Sequence, residues 1–462
     1  MPGHAHRFHP TLLREYDIRG IVGTTLLPAD ARAIGQGFGT MVRAAGGRRV
    51  VLGRDGRLSS PELAAATAEG LIAAGLEVLS IGLGPTPMMY FAVHHLGADG
   101  GLQITGSHNP PDYNGFKLML GTKPFYGAQI QEIGAIAAAA RFAEGTGREE
   151  PVDVFPAYID RLVADYHGTR PISVVWDAGN GSAGPAMAAL APRLPGRHTC
   201  LFAEVDGRFP NHHPDPTEPH NLVDLIRAVT SGGYELGIGF DGDGDRIGVV
   251  DGQGRIVFGD QILQLLAADV LRRHPGATVI ADVKTSQTLF DEVSRLGGRP
   301  LMWKTGHSLI KAKMAEVAAP ISGEMSGHIF YADGFYGHDD ALYVAVRLLD
   351  VLARGSATMT EIKEAMPVAF NTPEIRFDCA EERKFAAIAE IKAHLDREGA
   401  AVTDIDGVRV RTGDGWWLAR ASNTQAVIVA RAEASSAVGL ERLKGRLRDT
   451  LHRVGVEPPG EL

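Results

Sequence analysis

Short apolar runs alternate with longer amphipathic stretches through most of the chain. RRVVLGRD (residues 48–55) reads as a buried strand. Ser60-Pro61-Glu62 then opens a helix with a capping serine, a first-turn proline and an early acid, and Gly75 closes it. LEVLSIG is a second strand, TPMMYFAVHHLG a second helix and GGLQIT a third strand. Strands separated by helices of this length predict parallel βαβ units. The pattern restarts near residue 172, with ISVVWDAGNGSAG as strand, glycine turn and helix start, and ELGIGF as a further strand. It restarts again near residue 277 with TVIADV, the helix TSQTLFDEVSRLG, and PLMWKTGHSLIKAKMAEV as strand and helix.

The last stretch has a different pattern. PEIRFD, a helix around residues 381–397, then VRVRT, GWWLAR, AVIVARAE and a helix from Ser435 predict an α+β unit with antiparallel strands. The expected fold class is therefore α/β, with three similar mixed α/β domains (1–152, 153–254, 255–367) and a C-terminal α+β domain (368–462).

Length agrees with several domains, since single cores stop growing at roughly 250–300 residues and the chain has 462. Glycine is the compositional outlier: 57 residues, roughly 12% against a usual share of about 7%. With 46 basic and 55 acidic residues the net charge is −9, which removes the basic footprint of a nucleic-acid-coating protein. Anionic ligands would have to be met by local loops. Two cysteines, Cys200 and Cys379, predict a reducing compartment. The N-terminus lacks the apolar core of a signal peptide, and no segment has the ~18 apolar residues of a membrane helix. The expectation is a cytoplasmic protein with neither nucleic acid nor membrane as partner.

Four loops carry chemistry. In ITGSHNPPDYNGFK (104–117) a strand delivers Gly106-Ser107-His108-Asn109 to its carboxyl end, where open parallel sheets place ligands. The serine suits a nucleophile or phosphate carrier, Lys117 supplies a cation, and Asn114-Gly115 is read as fixing the loop's path; a plain turn is equally compatible. In DGDGDR (241–246), Asp241, Asp243 and Asp245 alternate with glycine between apolar strands. Two carboxylates ~4 Å apart repel by about 4 kcal/mol at an effective dielectric near 20, so three call for a cation, and hard oxygen ligands suit Mg²⁺. Arg246 and Gly252 stand where an EF-hand needs glycine and glutamate.

GEMSGH (323–328) places Glu324 and Ser326 two apart, on one side of an extended backbone, where a carboxylate and a hydroxyl suit sugar hydroxyls; His328 is a candidate proton carrier. RASNTQ (420–425) offers an arginine fork with small hydroxyls, which is phosphate chemistry, although a polar hairpin reads the same way. Gly237-x-Gly239-x-x-Gly242 matches the dinucleotide fingerprint only formally, because a strand follows it. No GxxxxGK[ST] occurs. His212-His213 with Asp215 is read as loop, the histidines at 4, 6 and 9 as a disordered tail, and Trp416-Trp417 as packing of the last domain.

Taken in order, these four loops together with EYDIRG (15–20) resemble the α-D-phosphohexomutase superfamily, in particular its bacterial phosphomannomutase/phosphoglucomutase branch. The resemblance covers essentially the whole chain. It implies a TATA-binding-protein-like fourth domain and a central cleft shared by all four. It also implies that Ser107 is carried as phosphoserine, and that Asp241, Asp243 and Asp245 hold Mg²⁺ together with it. Glu324 and Ser326 would bind sugar hydroxyls, and Arg420, Ser422, Asn423 and Thr424 the phosphate that is not reacting. Tyr16, Arg19, Lys117, Lys284, His307 and His328 match cleft positions, with Arg19, Lys117 and His328 as acid–base candidates, and His108 and Arg246 belong to the same loops.

The implied activity is reversible exchange of mannose or glucose 1- and 6-phosphates through a hexose 1,6-bisphosphate, which also serves as activator. The implied protein is a monomer whose fourth domain hinges near residues 367–373. Gln425-Ala426 departs from relatives, which more often carry threonine or glutamate with proline. TGSHNP and Met325 disfavour glucosamine phosphate as substrate. A phosphatase using a loop aspartate and a non-catalytic sugar-phosphate binder are the competing readings.

Overall fold

The structure, a computed structural model, describes residues 5–423, 425–460 and 462. The first sheet centres on Arg49–Arg54, with Glu77–Leu83 parallel on one side and Gly100–Ile104 parallel on the other. The second centres on Ile172–Asp177, with Gly196–Leu201 and Leu236–Phe240 as its parallel neighbours. The third repeats this with Thr278–Asp282 between Arg299–Trp303 and Ile321–Gly323. In each sheet the third strand of this parallel trio in chain order is followed by an antiparallel one: Tyr113–Leu120, Ile247–Asp251 and Ile329–Tyr331. The serine, aspartate and Glu-x-Ser loops are the three connections at this same place in three like sheets.

The fourth sheet is antiparallel throughout, with Val427–Ala434 between Ile375–Asp378 and Gly415–Ala421. The helices Glu381–Arg397 and Ala437–Arg453 bury Ile391, Leu395, Leu443 and Leu447 against it in a separate core. The other three sheets share one continuous core, running from Met89 and Tyr90 through Trp176 and Phe240 to Ile329 and Tyr343.

Several expectations need correction. Asn114-Gly115 and Lys117 belong to the strand Tyr113–Leu120, so the serine loop is shorter than read. Ser59, not Ser60, precedes the helix Ser60–Ala73, and the Ser60 hydroxyl donates to Asp55 instead of capping. Glu324 and Ser326 lie in a tight turn completed by Gly327 at φ +88°, not in extended backbone. Along Gly415–Ala421 alternate residues face opposite ways. Trp417 fills the fourth core, while Trp416 and Leu418 pack on Val283 of the third sheet's unit. His6 bonds Asp30 at 2.7 Å rather than trailing free, and His4 lies outside the described residues. His212-His213 is loop as expected, but both side chains are engaged, His212 with Asp177 and His213 with the His108 carbonyl. Among the described residues no helix is long and apolar enough to cross a membrane.

Candidate active site

Ser107 stands at φ +47°, a left-handed conformation that costs a non-glycine residue roughly 1–2 kcal/mol. Its hydroxyl donates to Asp241 Oδ2 at 2.8 Å and lies 3.3 Å from His108 Nδ1. The serine loop and the aspartate loop are therefore in contact through the reactive oxygen. They could not approach so closely with a larger residue at Gly242, whose Cβ would run into the Ser107 carbonyl.

Asp241, Asp243 and Asp245 are all fully buried, and their ligand atoms fall within 4.8 Å of one another. Lys117 Nζ lies 2.8 Å from Asp243 Oδ2 and also bonds Asp245. Asp243 Oδ2 accepts further from Thr86 Oγ1 at 2.5 Å and Thr105 Oγ1 at 3.1 Å. Burial raises the Asp241 carboxyl well above its ordinary value, and the neighbouring Asp243 and Asp245 push it further. Asp243 goes the other way: burial opposes its charge, but Lys117 outweighs burial and holds it low. The Lys117 ammonium is raised in turn, the aspartates overcoming its burial.

One cation thus faces three carboxylates. Asp243 Oδ1 and Asp245 Oδ1 are buried and have no hydrogen-bond partner among the described residues. Unsatisfied oxygens on a crowded, all-oxygen donor set fit a small hard divalent cation.

A second layer surrounds this cluster. Arg19 donates to the Thr105 carbonyl at 2.8 Å and to Asp17. Arg246 Nε donates to His328 Nε2 at 2.9 Å; because guanidinium only donates, the ring proton of His328 sits on Nδ1, 3.0 Å from Asp339 Oδ2. Asp339 also accepts from Lys311. His307 stacks on His328 with centroids 5.7 Å apart and meets Tyr16 edge-on at 6.2 Å. Burial drives both His307 and His108 well below the ordinary imidazole value, so both are neutral.

The Glu-x-Ser turn leads directly into His328 of this layer. Glu324 accepts from the Gly306 amide at 2.8 Å and from Ser326 Oγ at 3.0 Å. From the fourth unit, Arg420 bonds Asp406 at 3.1 Å, and Asp406 accepts the Thr305 amide at 3.0 Å. The Tyr16 hydroxyl, pushed up to about 12 by burial, bonds the Asn423 side chain, so the first and last units touch here. Ser422 donates its amide to the Val427 carbonyl, and its hydroxyl accepts from the Gln425 amide. Thr424 lies outside the described residues. Lys284 Nζ pairs with Glu374 at 2.7 Å, with Asp282 3.9 Å away.

Sequence reasoning missed Asp55, Arg57, Thr86, Lys311 and Asp339, which hold the named residues without joining their motifs. The signal for the first two was present: RDGR follows a parallel strand at its carboxyl end, as the serine loop does.

Four domain models of one family match the chain: phosphoglucomutase/phosphomannomutase alpha/beta/alpha domain I over residues 10–144, domain II over 156–254, domain III over 258–370 and the C-terminal domain over 374–450. The chain is 44% identical over 449 residues to a phosphomannomutase/phosphoglucomutase of Pseudomonas aeruginosa, covering 97% of each. To a phosphoglucomutase of Neisseria gonorrhoeae it is 44% identical over 441 residues, 95% of this chain and 96% of the other. The crystal structure of a phosphoglucomutase/phosphomannomutase family protein from Burkholderia thailandensis superimposes with a TM-score of 0.92 at 46% identity, over 98% of this chain and 99% of that one. The chain belongs to the phosphoglucomutase/phosphomannomutase family.

Proposed function

We propose that the protein interconverts the 1- and 6-phosphates of mannose or glucose through a phosphoserine at residue 107. The observation that supports this reading is the contact of the Ser107 hydroxyl with the buried aspartate cluster. Phosphoryl transfer asks mainly for positioning and charge neutralisation. In the forward half-reaction the bond from Ser107 Oγ to phosphorus breaks and a bond from a sugar hydroxyl oxygen to the same phosphorus forms. The hydroxyl proton leaves to a base, Ser107 Oγ keeps the electron pair of the broken bond and takes up a proton, and a 1,6-bisphosphate results. The reverse half-reaction from the opposite end restores phosphoserine.

Asp241, Asp243 and Asp245 would hold Mg²⁺ with a phosphate oxygen on Ser107; when bound, the ion offsets the charge of about −1.5 to −2 that phosphorylation adds. Lys117 neutralises the same region. Glu324 and Ser326 are assigned to the sugar hydroxyls. Arg420, Ser422, Asn423 and Thr424 are assigned to the distal phosphate. Tyr16, Lys284 and His307 line the cleft, and Arg19, Lys117 and His328 are assigned to proton movement. For His328 this requires Arg246 to release Nε2, which it occupies in the structure. Hexose 1,6-bisphosphate is the expected activator, and a monomer the expected state. The free thiols Cys200 and Cys379 support a reducing, cytoplasmic setting.

The test supplies mannose 1-phosphate or glucose 1-phosphate with a trace of hexose 1,6-bisphosphate and follows the 6-phosphate, alongside S107A and mass spectrometry of the Ser107 peptide. Wild type should turn over and carry phosphate on Ser107, and S107A should be inactive. Undiminished turnover by S107A would refute the phosphoserine.

A further inference from the structure

The serine loop has an unusual backbone economy. Each carbonyl from Thr105 to Pro110 accepts a hydrogen bond, and most donors are side chains from elsewhere. Arg19 serves Thr105, the Asn109 amide serves Gly106, and His213 serves His108. The remaining three are all served by one residue, with the Tyr113 amide a second donor at Pro110. Arg57 donates to the carbonyls of Ser107 (2.8 Å), Asn109 (2.6 Å) and Pro110 (2.5 Å), and also to Tyr113 (3.0 Å) at the start of the next strand. It is 1% exposed, and Asp55 sits 3.3 Å from its Nε.

Asp55 fixes the other face of the same loop. Its Oδ2 accepts the Gly106 amide at 3.0 Å, and its Oδ1 accepts the Arg57 amide and the Ser60 hydroxyl. Gly106 lets the guanidinium lie against the backbone, since a Cβ there would run into Arg57 Nε and Cζ. On the far side Phe209 of the second unit faces the guanidinium, 5.2 Å from its ring centroid. The residue is gripped between two units while it grips the loop.

We propose that Arg57 is a positioning residue for Ser107: its guanidinium fork holds the loop carbonyls so that the serine stays in its left-handed conformation, hydroxyl on Asp241. The inference rests on reading Ser107 as the phosphate carrier. A planar fork with five donors can serve four carbonyls at once, which an ammonium cannot. Without the fork, Ser107 keeps its amide bond to Thr105 and its hydroxyl bond to Asp241 but loses the hold on its carbonyl side, and a shift of about 1 Å at a reacting atom costs on the order of 10²-fold in rate. Arg57 itself donates to backbone, so substrate affinity should be spared.

The experiment uses the full chain as R57A and R57K, with glucose 1-phosphate as substrate, thermal unfolding as a fold check, and intact mass for phosphate on Ser107. Both variants should lose about 10²-fold in kcat with KM within about twofold. Guanidinium at about 20 mM should restore part of the R57A rate, and methylammonium should not, because only the planar ion reproduces the fork. Folded R57A or R57K with kcat within about threefold of wild type overturns the proposal, as does a loss seen only in KM or one that guanidinium leaves unchanged in folded R57A. If R57A does not fold, R57K alone decides by the same kcat criterion. Wild type that turns over with no phosphate on Ser107 defeats the phosphoserine reading, and the clamp's role with it; wild type that is phosphorylated and active beside equally active variants defeats the clamp alone.

Discussion

The loop at Ser107 and the loop at Ser422 are both assigned to phosphate, yet they are held in opposite ways. Ser107 sits where two sheets of a shared core meet, with every carbonyl around it anchored and the cation Lys117 buried among carboxylates. The Ser422 loop belongs to a unit with its own core, joined to the third unit by the small apolar contact of Val283, Trp416 and Leu418. Polar links do the rest: Arg409 to the carbonyls of Val283 and Thr285, Glu433 to the Gln287 amide, and Lys284 to Glu374. A reacting centre needs fixed geometry, whereas a phosphate grip that must release a turning intermediate needs a unit able to shift.

The largest effect should come from removing the charge balance at the first site. In chelator, K117M leaves three buried carboxylates with no ammonium among them, and breaking a buried pair in this way typically costs 3–5 kcal/mol. The denaturant midpoint should fall accordingly, and Mg²⁺ should recover much of the loss. An unchanged midpoint in chelator would mean the cluster is not charge-limited. At the second site the corresponding change, R420M, should act on binding. Losing a charged donor worth about 1.5–3 kcal/mol predicts a KM raised by about 10–100-fold with kcat within a few-fold, measured by initial rates. A loss confined to kcat would erase the distinction between the two loops.

Much of this contrast was legible in the chain. The strands read from RRVVLGRD, ELGIGF and TVIADV and the helix at 381–397 appear where the periodicity put them. The helix Pro28–Ala44 was not read, because Gly35, Gly37 and Gly39 look like breakers. They are there for close packing: a Cβ at Gly35 would strike the Thr67 carbonyl, and one at Gly70 the Arg32 carbonyl. Likewise the turn-like pair Asn114-Gly115 in DYNGFK disguised a strand whose Asn114 is buried and bonded to Ser59 and Ser60. The motif residues were visible because each loop carries its own chemistry. Arg57, Thr86 and Asp339 were not, since their roles arise from tertiary contacts 50, 157 and 11 residues away in sequence.

A smaller effect separates stability from activity at the first site. Asp241 is raised by burial and by its neighbours, so its ionised form weakens the metal-free fold. A carboxyl raised in the folded state contributes stability below its ordinary value, and that contribution is lost as pH rises through the folded value. D241N should therefore be more stable than wild type in chelator at about pH 7.5, by about 2–4 °C, with the gain shrinking at about pH 4.5. Its mutase activity should be lost. Equal unfolding temperatures at both pH values would show that Asp241 is not a burden to the metal-free protein.

The smallest effect tests the joint itself. Trp416 Nε1 donates to Glu433 Oε1 at 2.9 Å, and the same oxygen accepts the Gln287 amide across the interface. Its ring also lies 3.7 Å from the Arg409 guanidinium carbon. W416F keeps an aromatic face for Arg409 and removes the N–H together with part of the indole; the lost hydrogen bond alone is worth about 0.5–1.5 kcal/mol. If the fourth unit is held by a few polar links, that loss should appear as faster amide hydrogen exchange at Gln287 and along Gly415–Ala421. Exchange at Gly106 and Ser107, tied to Asp55 and Thr105, should stay the same. Acceleration at both places would mean that the two loops open together, and the serine end would then owe its rigidity to the fourth unit rather than to the core it shares with the second and third sheets.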